Sequence, residues 1–320
     1  MCNYCNSRCI TCPISSTRRK PQIMEFGLFE KIVNELSDRG FTGTILPFLH
    51  GEPLLVPDYV DYLRLIRSKV PNATVVIFTN GSKLNEELAA TIIEEDLLDG
   101  LVISFDGGTK EVYESVRRNL SFDNVRKNAH YFVNCRNRAL KKKPGVEINV
   151  VVSPKNCDSI NALRDEFPDV DKINLALLFN YAGQLENGPE ISPRRIGRLR
   201  GFLTKSNYCD KLRDYISILV TGDVCLCCFD HEGKELLGNV TQNSIAEVWL
   251  GDEFNKRRNS LQKRDFSALP LCSNCSYIDY DPMTQSAKRI LLYVVGKYPR
   301  LAGNFGAKLF LLFSSRTSDQ

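Results

Sequence analysis

Five short runs rich in β-branched residues, each continuously apolar rather than alternating, recur between residues 44 and 178 of this 320-residue chain. Continuous runs belong to strands covered on both faces, which restricts the fold to a parallel α/β sheet flanked by helices. Strands are expected at residues 44–49, 74–78, 101–105, 146–152 and 172–178, with helices at 25–39, 57–69, 85–96, 109–117, 122–140 and 158–166. Each run leads into a polar or glycine-containing turn: His50-Gly51-Glu52-Pro53, Thr79-Asn80-Gly81, Ser104-Phe105-Asp106-Gly107-Gly108, Ser153-Pro154-Lys155-Asn156 and Asn180-Tyr181-Ala182-Gly183. Parallel α/β barrels place their ligand sites at this carboxyl edge, so the turns are expected to converge on one mouth. Residues 183–200, with Gly183, Gly188, Pro189 and Pro193, read as a linker.

Twelve cysteines are many for such a chain. A disulfide scaffold is the reading for a small secreted protein, but the segment Met1-Cys2-Asn3-Tyr4-Cys5 has no basic stretch followed by an apolar one. No apolar run approaches the ~20 residues of a membrane-spanning helix. A reducing, cytoplasmic location is expected, where clustered thiols bind metal or do chemistry. The formal charge is +4, and six basic residues between 282 and 318 leave the rest of the chain slightly acidic. That balance argues against nucleic acid as the main partner.

Cys5, Cys9 and Cys12 form a Cys-x3-Cys-x2-Cys loop in Cys5-Asn6-Ser7-Arg8-Cys9-Ile10-Thr11-Cys12-Pro13. Four-iron clusters usually take four cysteines, so three would leave one iron open to an exogenous ligand. Zinc is the rival, since Cys2 and Cys5 with Cys9 and Cys12 supply four thiolates. Structural zinc pairs are normally separated by roughly 15 to 20 residues, and only three separate Cys5 from Cys9.

This loop, together with His50-Gly51-Glu52-Pro53-Leu54-Leu55, Thr79-Asn80-Gly81, Ser104-Phe105-Asp106-Gly107 and Glu111-Val112-Tyr113-Glu114-Ser115-Val116-Arg117, resembles the radical S-adenosylmethionine (radical SAM) superfamily with a SPASM-type C-terminal extension. The resemblance implies a partial (β/α)6 TIM-like barrel and a SAM-binding 4Fe-4S cluster on Cys5, Cys9 and Cys12. It also implies SAM contacts from Gly51 and Glu52, with His50 in place of the first glycine of the Gly-Gly-Glu turn, and from Asn80, Ser104 and Asp106. Read without that likeness, Asn80 and Asp106 are ordinary turn formers. The family normally has a barrel strand before the cluster loop, whereas only four residues precede Cys5 here.

Cys209, Gly222, Cys227, Cys272 and Cys275 resemble a shortened SPASM pattern, implying one auxiliary 4Fe-4S cluster on the four cysteines. On spacing alone, zinc fits them nearly as well. Cys225 and Cys228 flank Cys227 closely enough to replace it, and Cys135 and Cys157 read as small core residues. The expected division is a barrel at 1–185, an auxiliary-cluster domain at 193–280 and an amphipathic basic tail at 285–320. The tail fits either a helical cap or contact with an anionic membrane surface. The basic run Arg136, Arg138 and Lys141 to Lys143 reads as a solvated helix end.

Together these readings predict reductive cleavage of SAM to a 5′-deoxyadenosyl radical that takes hydrogen from the substrate. A small carbohydrate-like or alcohol substrate undergoing oxidation is favoured over a peptide, because no leader-peptide-binding domain is visible ahead of the cluster loop. A flavodoxin or ferredoxin would supply the electron. The alternative of a different class is a non-enzymatic zinc-binding scaffold.

Overall fold

The computed structural model describes residues 1–185 and 207–278. The expected domain start at 193 and the basic tail lie outside these residues. In chain order the first part contains β1 (Arg8–Cys9), α1 (Phe26–Asp38), β2 (Thr44–Ile45), α2 (Tyr59–Lys69), β3 (Thr74–Thr79), α3 (Glu86–Glu94), β4 (Gly100–Ser104), α4 (Lys110–Val116), β5 (Arg117–Arg118), α5 (Phe122–Arg138), β6 (Gly145–Val152), α6 (Leu163–Glu166) and β7 (Lys172–Leu177). Helix starts follow local chemistry. Asn85, Thr109 and Ser121 each accept a first-turn amide proton with their side chains, which caps α3, α4 and α5.

Five strands form one parallel sheet in the order β2-β3-β4-β6-β7. Val75, Ile77, Leu101, Ile103, Val146, Ile148 and Val150 are fully buried between the helices, as the continuous apolar runs require. Among the described residues the sheet is open, giving a partial rather than a closed barrel. The residues ahead of the cluster loop pair with residues 22–24: Cys2 bridges Ile23, and the Met24 amide donates to the Met1 carbonyl at 2.7 Å.

Two expectations needed correction. The strand expected at 44–49 stops at Ile45, because Pro47 has no N–H for a ladder and Phe48 donates back to the Leu46 carbonyl at 2.7 Å. The basic run is solvated only in part: Arg138 and Lys142 are exposed as expected, whereas Arg136, Lys141 and Lys143 tie the helix end to its neighbours. Arg136 is buried, donating to the Pro144 carbonyl at 3.1 Å and pairing with Asp171. Lys141 reaches the carbonyl of Glu94 and the carboxylate of Asp96, and Lys143 pairs with Asp99.

The second part comprises α7 (Asp210–Arg213), β8 (Ser217–Ile218), β9 (Asp223–Cys225), β10 (Leu236–Asn239), α8 (Ile245–Leu250), α9 (Asp252–Gln262) and α10 (Pro270–Ser273). Its strands form an antiparallel sheet in the order β10-β9-β8 over a small core containing Val224, Val240, Phe254 and Leu269. This module docks on α1. Leu28 and Ile32 pack against both cores, Lys31 donates to the Asn243 carbonyl at 3.0 Å, and Glu35 accepts from the Ile245 amide at 2.6 Å.

Candidate active site

The cluster loop is held by a two-residue antiparallel ladder. β1 pairs with β5, placing Cys9 opposite Arg117, and Ser7 Oγ donates to the Arg118 carbonyl at 3.1 Å. After Cys9 the chain turns through a Cys12 amide bond to the Cys9 carbonyl and enters a 3-10 turn at Pro13–Ser16.

The three thiols lie in one polar neighbourhood. The Ser7 amide donates to Cys5 Sγ at 3.4 Å, Asn80 Nδ2 approaches the same sulfur at 3.6 Å, and Ser7 Oγ lies 2.9 Å from Cys9 Sγ. Arg117 Nη1 approaches Cys9 Sγ at 3.8 Å. Burial pushes the Cys5 thiol up to about 11, with Glu52 and Cys9 adding to it, and Cys12 to about 12, with Cys9 and Cys5 adding to it. Thiols so placed are unfavourable as free anions, yet amide and guanidinium donors point at their sulfurs. That combination suits thiolates neutralised by a metal centre. All three cysteines are free, so the donor set fits a three-thiolate cluster.

Arg117 has no assigned role on sequence grounds, although it closes the motif that runs from Glu111. Its guanidinium is buried and pairs with Asp106 at 2.8 Å. Burial alone would lower its pKa, but Asp106 and Cys9 hold it above the ordinary value. Asp106 is fully buried, and its other oxygen accepts from the Val151 amide at 2.7 Å. The structure thus joins Asp106 to the cluster loop through Arg117.

Gly51 has no room for a side chain, since a Cβ there would lie 2.6 Å from the carbonyls of both Cys2 and Tyr4. This close approach lets the Glu52 amide donate to the Tyr4 carbonyl at 2.9 Å. The buried Glu52 carboxylate accepts from Thr79 Oγ1 at 2.6 Å, the Asn80 amide at 2.7 Å and the Leu54 amide at 3.2 Å. Burial raises its pKa, and these donors oppose the rise. A carboxylate offers about four acceptor positions, so three donors leave one for a ligand. Asn80 donates to Asn6 Oδ1 at 2.9 Å, locking the end of β3 to the cluster loop. Ser104, half-buried at the end of β4, lies in register with Asn149 on β6, which faces Asn174 on β7; Asn174 Nδ2 donates to Asn149 Oδ1 at 2.8 Å. A polar row therefore crosses three adjacent strands, from the end of β4 through β6 to the middle of β7.

In the second module, Cys209, Cys227, Cys272 and Cys275 line one cavity of about 20 Å³, walled by Ala182, Leu212, Leu226, Phe229, Leu271 and Ile278. Cys225 is not part of this lining; its sulfur donates to the Ser217 carbonyl at 3.6 Å. Burial, then the neighbouring thiols of Cys228, Cys275 and Cys272, pushes the Cys227 thiol well above its usual range. Four cysteines outside any disulfide that line one apolar pocket are a donor set that fits a closed metal centre.

The barrel reaches this pocket through residues 180–184. Asn180 exchanges hydrogen bonds with Ser276 at 3.0 and 2.9 Å, and Gln184 grips the Phe229 carbonyl and the Glu232 amide at 3.1 and 2.9 Å. Between these clamps Tyr181 and Ala182 take left-handed φ values of 48° and 53°, a conformation non-glycine residues adopt at a cost of about 1 kcal/mol or more each. Ala182 consequently faces the four-thiol cavity.

Comparisons with known proteins converge on the same chemistry. The Radical SAM superfamily model matches residues 1–158, and an iron-sulfur cluster-binding domain of the SPASM type matches residues 209–276. The chain is 23% identical to S-adenosyl-L-methionine-dependent 2-deoxy-scyllo-inosamine dehydrogenase of Niallia circulans, covering 86% of this chain and 90% of that protein. It is 30% identical to mycofactocin maturase MftC of Mycolicibacterium smegmatis, covering 86% of this chain and 74% of the relative. Among solved structures, native anSMEcpe with bound AdoMet shares the fold with a TM-score of 0.64 at 19% identity, covering 94% of this chain and 97% of that one. A maturase of 30% identity over most of both chains, together with two family models that bracket the two thiol sets, makes this chain a radical SAM superfamily enzyme that works with iron–sulfur clusters and SAM.

Proposed function

We propose that this enzyme is a dehydrogenase of a small hydroxylated substrate, carbohydrate-like or a simple alcohol. The observation that carries the reading is the closed four-thiol pocket. Cys209, Cys227, Cys272 and Cys275 supply a complete set of protein donors, which suits an electron acceptor rather than a centre that binds substrate directly. When bound, the three-thiolate cluster supplies the electron that splits SAM into methionine and a 5′-deoxyadenosyl radical, and the four-thiolate cluster the acceptor for the electron the substrate gives up. Loss of a hydrogen atom from the carbinol carbon, then of one electron and the hydroxyl proton, turns the alcohol into a carbonyl.

The chain's own residues organise this chemistry. Cys5, Cys9 and Cys12 would hold the first cluster, with Arg117 and the Ser7 amide stabilising the thiolates. Gly51 and Glu52 would receive the SAM amino group, and Asn80 and Ser104 would border the remainder of SAM. Asp106 would act through Arg117. The polar row through Ser104, Asn149 and Asn174 supplies hydrogen-bonding groups matched to hydroxyls. Relatedness to the 2-deoxy-scyllo-inosamine dehydrogenase supports this substrate class. A flavodoxin or ferredoxin would deliver the electron. The two clustered thiol sets, none of them in a disulfide, support a cytoplasmic location. Among the described residues no helix is long and apolar enough to cross a membrane.

A second reading, modification of a peptide, is supported by the 30% identity to mycofactocin maturase. Anaerobic incubation of the reduced enzyme with SAM and polyols or amino-alcohols deuterated at the carbinol carbon separates the two. Deuterium in 5′-deoxyadenosine together with a carbonyl product is expected. Deuterium transfer from peptides alone would replace the dehydrogenase with the maturase reading.

A further inference from the structure

His50 occupies the position of the first glycine in the family's Gly-Gly-Glu turn, and its side chain does what glycine cannot. The ring is buried where the barrel meets the second module. Arg19 Nη2 lies 3.1 Å from His50 Nδ1, and the Cys228 carbonyl lies 3.0 Å from Nε2. A guanidinium is only a donor, so Nδ1 must accept; the ring is then the neutral tautomer whose Nε2–H donates to Cys228. The His231 ring, 4.8 Å away between centroids, closes one side. Burial, with His231 and Arg19 adding to it, lowers the His50 pKa to about 3, in keeping with a neutral ring.

These contacts lie between fixed points. On one side Gly51 is wedged against the Cys2 and Tyr4 carbonyls, and Glu52 is tied to Thr79 and Asn80, so the His50 backbone cannot shift independently of the turn. On the other side Cys228 directly follows Cys227, whose thiol lines the four-thiol cavity. Arg19 lies seven positions beyond Cys12, and the neighbouring Arg18 amide donates to the Glu232 carboxylate at 3.2 Å. A single imidazole therefore joins the turn that receives SAM, the segment leaving the cluster loop and the backbone beside an auxiliary ligand.

We infer that His50 is a positioning residue that couples the SAM-binding turn to the auxiliary-cluster loop through its Nε2–H bond to the Cys228 carbonyl. This rests on the assignment of the two thiol sets under the proposed function. Because the bond touches the peptide after Cys227, docking of SAM on Gly51 and Glu52 alters the hydrogen bonding around the auxiliary centre, which tunes its potential.

The test uses cluster-loaded enzyme, wild type and three variants, with iron per chain measured for each. The Gln amide nitrogen overlays Nε2 and can still donate to Cys228, whereas the Asn amide sits at Nδ1, where its oxygen can accept from Arg19 but nothing reaches Cys228; His50→Gly loses both bonds. Redox titration of the auxiliary cluster with and without SAM is the first readout. The second is the rate of SAM cleavage against SAM concentration, which separates KM from the maximal turnover. Wild type and His50→Gln are expected to show a SAM-dependent shift of the auxiliary potential. His50→Asn and His50→Gly should lose that shift and raise the KM for SAM, by about tenfold for Asn, which loses one buried hydrogen bond, and by more for Gly, which loses two, with a smaller change in maximal turnover. Should the glycine variant fail to load iron, the Gln and Asn pair decides. A wild type without a SAM-dependent shift, or Asn behaving like Gln, overturns the coupling while SAM cleavage by the wild type upholds the cluster assignment. A wild type that cleaves no SAM overturns both.

Discussion

The two thiol sets differ in number and also in surroundings. Cys5, Cys9 and Cys12 sit among polar partners brought by distant parts of the barrel: Asn80 from the end of β3, and Arg117 from the ladder after α4. Cys209, Cys227, Cys272 and Cys275 sit among Leu212, Leu226, Phe229, Leu271 and Ile278, inside a small module with its own core. An incomplete donor set in polar surroundings keeps a place for an incoming amino and carboxylate group. A complete set in an apolar pocket would exclude one, which suits the electron-accepting role proposed for that centre.

That contrast can be sharpened first in the four-thiol pocket. Cys227→Ser should lose the auxiliary cluster, about four of roughly eight irons per chain. Cys225→Ser, altering a thiol turned toward the Ser217 carbonyl, should keep the full complement. Iron analysis and the visible spectrum of anaerobically prepared variants check both, and equal losses would break the assignment of Cys227.

In the polar site, Arg117→Met leaves Asp106 buried without its counterion and should destabilise the barrel by about 3–5 kcal/mol in denaturant unfolding. Adding Asp106→Leu should recover much of that loss. A double variant as unstable as Arg117→Met would show that Arg117 acts through something other than Asp106.

Glu52→Gln is expected to cost less, about 1–3 kcal/mol, because the amide end must face a buried donor, Thr79 Oγ1, Leu54 N or Asn80 N. The KM for SAM should rise by about tenfold or more, while the auxiliary centre is retained.

The smallest effect lies away from both sites. Asp99 accepts from Lys143, the Val75 amide and Arg67, which outweigh partial burial and hold its carboxyl at about 2. Its contribution is present above about pH 4, the unfolded value, and disappears as pH falls toward 2. Asp99→Asn should cost about 1 kcal/mol at neutral pH after solvent screening, and the wild-type advantage should shrink in acid-unfolding curves below about pH 4 and vanish only near pH 2.

The barrel is legible in the sequence because its strands are buried on both faces. The runs around Val75, Leu101, Val146 and Ile173 announce themselves without any tertiary knowledge. The strand after Thr44 reads too long because apolar character continues past Ile45 while Pro47 interrupts the ladder. Thiol positions are legible from spacing, and Cys209, Cys227, Cys272 and Cys275 line one cavity. What surrounds them is hidden. Arg117 meets Cys9 across 108 positions and His50 meets Cys228 across 178. Contacts of that separation depend on how modules dock, which no local period or spacing encodes. Arg136 reads as solvated for the same reason, since Asp171, its counterion, lies 35 positions away.

The most direct test of the unequal thiol sets is 5′-deoxyadenosine formation by two multiple variants, each with its remaining iron counted. With Cys5, Cys9 and Cys12 all changed to Ala, about four irons should remain and SAM cleavage should cease. With Cys209, Cys227, Cys272 and Cys275 changed instead, about four irons should again remain, now on the open site, and reductive SAM cleavage should persist without substrate oxidation. SAM cleavage surviving loss of the first three cysteines would contradict the account.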